Sequence, residues 1–242
     1  MKVLILSDIH GNLCAWNAVM QRITGEEHAD ACILLGDLVD YGMHSNEVIE
    51  GVRKLNIPIL CNLRGNHEDA ILRDEYARFS SERGRESAKN TRKNLNTASW
   101  EYLKTQLCGR GLAEFELDGK KCLAVHGSLA DEYWKSIFPD GDLSAYAQYD
   151  YVFSGHSHEP HFFERFFPAN DPLRRNRKKT VFLNPGSVGQ PRNLSPLAQY
   201  AVLDTESGEV CMRRTPYSVE EEQAAFDGSV DEFYKNRLKE GV

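Results

Sequence analysis

Short apolar runs that stop at a polar, chemistry-bearing residue recur along the first two thirds of the chain. Residues 3–6 lead into Ser7-Asp8-Ile9-His10-Gly11-Asn12, residues 31–35 into Gly36-Asp37, and residues 57–61 into Leu63-Arg64-Gly65-Asn66-His67-Glu68. Runs of this length bounded by turn residues predict strands covered on both faces, as in an α/β sheet. Between them the apolar spacing changes to that of a helix face, with Leu13, Trp16, Val19, Met20 and Ile23 inside 12–25, then Val48, Ile49, Val52 and Leu55. This β-α-β-α-β order implies a parallel sheet with right-handed crossovers.

Residues 70–79 and 87–107 read as helices, with Leu95, Trp100, Leu103 and Leu107 facing inward, so 69–110 is expected to be a helical insertion beside the strand ends. Residues 113–117 and 121–125 flank Asp118-Gly119, a strong hairpin signal. The second of these runs leads into His126-Gly127, and a further strand at 150–153 leads into Gly155-His156-Ser157-His158. The aromatics Tyr133, Trp134, Phe138, Tyr146 and Tyr149 read as packing residues. The tail is antiparallel in character, with strands at 161–167, 180–183, 199–204 and 210–215, a charged loop at 171–179, and helices from Ser218 and near Val230.

Composition narrows the class. With 242 residues, 41% of them hydrophobic, the chain has material for one sizeable core, and one α/β domain with insertions is expected. No apolar run approaches the about 20 residues that span a bilayer, and no apolar leader opens the chain, so neither a membrane nor secretion is expected. The six cysteines are scattered without a Cys-x-x-Cys pair, which suits reduced core thiols in the cytoplasm. A net charge of −7 argues against stable nucleic-acid binding. Phosphate binding would need a local positive centre.

That centre is suggested by the strand ends themselves. Asp8, His10, Asp37, Asn66, His126, His156 and His158 follow five successive strands. In extended backbone the side chains at i and i+2 point the same way, so Asp8 with His10, and His156 with His158, are expected to converge. α/β folds place ligands just past the carboxyl ends of their strands. A mixed His/Asp/Asn set suits manganese, iron or zinc. Seven ligands exceed what one catalytic ion takes while keeping a position open, so two divalent or trivalent ions sharing a carboxylate are expected.

These five motifs, in this order over about residues 2–158, resemble those of the calcineurin-like metallophosphoesterases. The later Asn184-Pro-Gly-Ser-Val-Gly-Gln-Pro-Arg192 resembles the small prokaryotic phosphodiesterase branch. The resemblance implies a two-sheet mixed β sandwich flanked by helices. It implies one ion held by Asp8, His10, Asp37 and His158, a second held by Asp37, Asn66, His126 and His156, and His67 as the acid that is no ligand. The activity implied is hydrolysis of small phosphodiesters or phosphomonoesters, nucleotides included, by in-line attack of a hydroxide held between the ions, with Asp37 and His67 at the centre of the chemistry.

Other positions stay two-sided. Asn12 can contact a substrate or cap the helix that follows it. Tyr41 and His44 follow Asp37 closely and are candidates to line the pocket, against the plainer reading of turn residues. Arg192 is either a bidentate fork on the substrate phosphate or a structural loop arginine. Residues 63–68 also resemble the Ser/Thr protein phosphatase pattern, although Tyr41 stands where those enzymes carry an arginine. A non-catalytic scaffold is the third reading, and the presence of all seven ligands and His67 stands against it.

Overall fold

The computed structural model describes residues 1–242. Its strands are β1 (Lys2–Leu6), β2 (Ala31–Leu34), β3 (Ile59–Asn62), β4 (Leu112–Leu117), β5 (Lys120–Val125), β6 (Tyr151–Ser154), β7 (His161–Pro168), β8 (Arg177–Asn184), β9 (Ala198–Asp204) and β10 (Val210–Thr215). Its helices are α1 (Leu13–Arg22), α2 (Ser45–Arg53), α3 (Asn66–Arg73), α4 (Glu82–Asn94), α5 (Thr97–Thr105), α6 (Val219–Ala224) and α7 (Glu232–Glu240). Two five-stranded sheets form, ordered β10-β9-β1-β2-β3 and β4-β5-β6-β8-β7. Each has a parallel core of three strands, β1-β2-β3 in one and β5-β6-β8 in the other, with antiparallel strands at the margins. This is the two-sheet mixed architecture flanked by helices that the motifs imply.

The alternation within each apolar run explains why the runs are continuous. Val3 and Ile5 point between the sheets, where they meet Ile33, Phe153, Leu183 and Leu203. Leu4 and Leu6 point outward beneath α1 and α2, onto Trp16, Val48 and Val52. In the other sheet Leu123, Val125, Val152 and Phe182 are covered by the 137–149 segment through Ile137, Tyr146 and Tyr149. A strand apolar on both faces fits only where both faces are covered. No helix is long and apolar enough to cross a membrane.

Several boundaries differ from expectation, each for a local reason. The helix expected over 12–25 ends at Arg22 and continues as a π turn, Ile23–Glu27, that takes in Gly25. The helix expected at 70–79 is α3, which begins four residues earlier, inside the ligand motif. The Glu68 carboxylate accepts the Gly65 N–H at 2.8 Å and so caps the helix from its own third position. The helix ends at Asp74, whose backbone is left-handed, and 74–81 run as irregular chain. The helix expected over 87–107 is two helices, because the Asn96 side chain accepts from Ser99 N at 2.8 Å and starts α5 afresh. Part of the loop expected at 171–179 is strand, since β8 begins at Arg177 and pairs with Pro168 of β7.

Candidate metal centre

All five strand ends expected to carry ligands open onto one edge of the sandwich. Asp8, His10, Asp37 and Asn66 come from the first sheet, and His126, His156 and His158 from the second. The Asp8 Oδ1 and His158 Nε2 atoms are 3.2 Å apart, and His10 Nε2 lies 3.9 Å from the same oxygen. Asp37 Oδ2 stands 3.7 Å from His10 Nε2 and 3.3 Å from His126 Nε2. Asn66 Oδ1 meets His126 Nε2 and His156 Nδ1, each at 2.9 Å. The candidate ligand atoms of Asp8, His10 and His158, and those of Asp37, His126 and His156, fall within 4.8 Å of one another in each group.

The backbone that aims these side chains is not the extended chain expected. Asp8, His10, Asp37, His156 and His158 have φ of 53°, 49°, 55°, 65° and 59°. Left-handed backbone costs a side-chain-bearing residue roughly 1–2 kcal/mol, and such residues persist where the surroundings over-determine them. Here the surroundings are hydrogen bonds between strand ends: Asp8 N to Gly36 O, His10 N to Asp37 O, and Gly189 N to Asp8 O. Two glycines permit the crowding. A Cβ on Gly65 would sit 2.1 Å from Asp37 Oδ1, and one on Gly155 would sit 2.1 Å from Ser7 Oγ.

Hydrogen bonds through Nδ1 orient three of the imidazoles and turn their Nε2 atoms into the cluster. His10 Nδ1 donates to the Val39 carbonyl at 3.1 Å, His126 Nδ1 to Leu35 at 2.7 Å and His158 Nδ1 to Gln190 at 2.6 Å. A carbonyl only accepts, so these Nδ1 atoms carry the protons. Burial holds His10 and His158 well below the ordinary imidazole pKa, aided by His67 at one and Arg192 at the other. Both rings are therefore neutral, and their Nε2 lone pairs face each other at 3.2 Å. Burial, then His126, likewise lowers His156 to about 3. Burial would lower His126 too, but the Asp37 carboxylate raises it to about 9.

Asp8 Oδ1 and Asp37 Oδ2 are buried with no hydrogen-bond partner. Burial raises the Asp8 carboxyl to about 6, while the histidines around Asp37 hold it well below the carboxylate range despite its burial. Opposed lone pairs and orphaned buried carboxylate oxygens are costly in a dry interior unless cations stand among them. The donor set fits borderline first-row ions.

His67 lies beside this cluster with its nitrogens assigned differently. Its Nδ1 donates to Asp40 Oδ2 at 2.6 Å, and its Nε2 is 3.9 Å from Asp37 Oδ2. Asp40 is fully engaged, its Oδ1 accepting from Ser87 Oγ at 2.6 Å, Thr91 Oγ1 at 2.9 Å and Tyr41 N at 2.7 Å. Burial opposes a charge on His67, but Asp37 and the Asp40 hydrogen bond raise its pKa above the ordinary value. Asp40 was not singled out in the sequence. Its signal was a second aspartate three residues after Asp37. Glu68 was also passed over, and its buried carboxylate accepts N–H groups from Asp37, Leu38, Val39 and Gly65.

The remaining candidates separate. Tyr41 and Arg192 line a cleft of about 430 Å³ together with Asp37, Asn66, His67 and His156. Asn12 does not reach it: its Oδ1 caps α1 through Ala15 N, and its Nδ2 donates to Gly189 O and Tyr217 Oη. His44 is turned away, its Nδ1 bonded to the buried Glu222 carboxylate at 3.1 Å. Of the aromatics read as packing residues, Tyr133, Tyr146 and Tyr149 are buried as expected, whereas Phe138 is exposed and Trp134 faces the cleft.

Comparison with known proteins agrees with this arrangement. The calcineurin-like phosphoesterase superfamily domain matches residues 1–208, and the chain belongs to that superfamily, whose members hydrolyse phosphate esters and depend on metals. An uncharacterized protein of Methanocaldococcus jannaschii, MJ0912, is 30% identical over 98% of this chain and 94% of its own. A metallophosphoesterase from Sphaerobacter thermophilus is similar in structure, with a TM-score of 0.75 and 28% identity, covering 100% of this chain and 99% of that one. The hypothetical protein PH1004 from Pyrococcus horikoshii shares the fold at a TM-score of 0.80 and 20% identity, over 100% of this chain and 98% of its own.

Proposed function

We propose that this protein is a two-metal phosphoesterase that hydrolyses small phosphate esters. One observation carries the reading: the buried, unpartnered Asp37 Oδ2 stands between His10 Nε2 at 3.7 Å and His126 Nε2 at 3.3 Å, the position of a shared ligand. Asp8, His10, Asp37 and His158 would hold one ion, and Asp37, Asn66, His126 and His156 the other. When bound, such a pair supplies Lewis-acid stabilisation of the phosphoryl group and activates water near neutral pH.

The chain's own groups do the rest. Arg192, with a buried and unpartnered Nε, faces the cleft as a donor to phosphoryl oxygen. His67 gives a proton from Nε2 to the leaving oxygen, while Asp40 holds Nδ1 and so keeps the ring turned toward the substrate. The oxygen of water forms the new P–O bond, the ester P–O bond breaks, and the alcohol leaves protonated.

Small esters are favoured over phosphoproteins. Residues 63–68 speak for a Ser/Thr protein phosphatase, but Tyr41 stands where those enzymes carry an arginine, and a cleft of about 430 Å³ is of small-ligand size. Six free cysteines fit a reducing compartment, so the cytoplasm is the proposed location.

Elemental analysis and a manganese-dependent assay on a bis-aryl phosphodiester test the reading, with a phosphopeptide as comparison. Asp37→Ala is expected to lose bound metal and turnover. His67→Ala is expected to keep the metal and lose turnover by roughly 10²–10⁴-fold. Purified protein without transition metal, or full turnover in both variants, would overturn the assignment. Much faster phosphopeptide cleavage would move it to the protein phosphatases.

A further inference from the structure

Five rings stand edge to edge around one side of the cleft. Tyr41 and His67 have centroids 4.5 Å apart, His67 and Phe79 4.9 Å, Phe79 and Trp134 5.1 Å, and Trp134 and His156 6.1 Å. All four contacts are steep, with interplanar angles of 73° to 84°. Two members of this collar, His67 and His156, belong to the chemistry described above. Phe79 and Trp134 do not, and they come from separate segments, one from the insertion and one from the stretch after β5.

Trp134 is fixed from several sides. Its backbone N–H donates to Asp131 Oδ1 at 3.1 Å, the other Asp131 oxygen pairs with Arg78, and the Arg78 guanidinium lies 5.3 Å from the indole centroid. The indole nevertheless lines the cleft and is partly exposed there. The indole packs against the core on one side, and the aromatic surface it leaves at the rim of a polar pocket is where a ligand ring stacks. Ser80, on the same rim, offers a hydroxyl to polar groups of such a ligand.

The side of the cleft matters. His67 touches Phe79, so an alcohol that takes its proton from His67 leaves within reach of the Phe79–Trp134 wall. The only carboxylate lining the cleft is Asp37. Nothing on that wall repels an electron-rich ring.

We propose that Trp134 is a specificity-determining residue, and that the substrate is a phosphate ester whose leaving group carries a planar heteroaromatic ring, as a nucleoside does. The inference rests on the two-metal phosphoesterase reading and adds the leaving-group class to it. A cleft of about 430 Å³ lies within the range of small-ligand pockets.

The test uses the full, manganese-loaded protein and two esters of the same phosphate, adenosine phosphate and glycerol phosphate, each as the monoester and as its methyl diester. The wild type is expected to favour the adenosine ester in kcat/KM by about tenfold or more. Trp134→Ala is expected to bring that ratio close to one, mainly through KM, and Trp134→Phe to keep most of it. Adenosine alone is expected to quench the tryptophan fluorescence of the wild type but not of Trp134→Phe, a readout that a folding defect does not imitate. If both esters are cleaved with equal kcat/KM, or if Trp134→Ala leaves the ratio unmoved, the inference fails and the phosphoesterase reading stands. If no ester of either kind is cleaved, the phosphoesterase reading fails and takes this inference with it.

Discussion

At His67 the two ring nitrogens have different surroundings, and Asp40 sets which faces the cleft. With Nδ1 held at 2.6 Å by a carboxylate that also accepts from Ser87, Thr91 and Tyr41, the ring has one orientation and a raised pKa. Asp40→Asn keeps the shape but removes the charge, and the amide can turn its NH₂ toward Nδ1. It is expected to lower kcat roughly 10²-fold with metal content unchanged. Adding it to His67→Ala should cost little more, because the two residues act as a unit. Metal analysis beside steady-state kinetics checks this, and loss of metal in Asp40→Asn would show that the aspartate supports the ligands instead. At this scale the sequence was legible in kind. Asp, His and Asn after apolar runs pointed to the ligands. The φ values near 50° to 65° were not legible, because side-chain-bearing residues give no sign that their neighbours will force them left-handed.

Among the elements, the insertion shows what motif reading leaves out. Ser87 and Thr91, one turn apart on α4, both reach Asp40, so this helix braces His67 from behind as well as walling the cleft. The strands were legible because burial on both faces leaves little choice of residue. The helix starts were not, because Glu68 and Asn96 act as caps through side chains that are equally common in loops. β7 offers a separate prediction. Burial lowers the pKa of His161, its first residue, from 6.5 to about 4, and its Nε2 has no partner. Between these values the unfolded chain binds the proton and the folded chain does not. Stability from this residue is therefore complete above 6.5 and lost as the pH falls toward 4. His161→Phe should flatten this dependence. Urea midpoints compared above 6.5 and within the 6.5-to-4 window should show the variant gaining on the wild type only in the window. A constant difference would mean that His161 is neutral in neither state at the lower pH.

Across the whole molecule, the candidate metal centre joins the two sheets. Three of the seven proposed ligands belong to one sheet and four to the other, and all sit at the same edge. Ions bound there stabilise the folded state by mass action, about 2.7 kcal/mol at a hundredfold excess over Kd. For a chain of this size that is roughly 5–10 °C in Tm. Removing metal with a chelator should lower the melting temperature by that order, and manganese should restore it. A melting curve unmoved by either treatment would count against ions at this position. The architecture was legible from the order of strands and motifs, and the division of ligands between sheets was not. That division depends on β3 pairing with β2 while β5 pairs with β6 in a second sheet, and a strand's sequence carries no mark of its partner.

The same division has a consequence for biosynthesis. A nascent polypeptide exposes Asp8, His10, Asp37 and Asn66 long before His156 and His158 leave the ribosome. Half-made chains thus present an incomplete cage, and truncation products short of residue 156, which lack a proposed ligand of each ion, should be blind to manganese. Uptake of the ions would then report that both halves have closed on each other, a maturation checkpoint written into the order of the gene product.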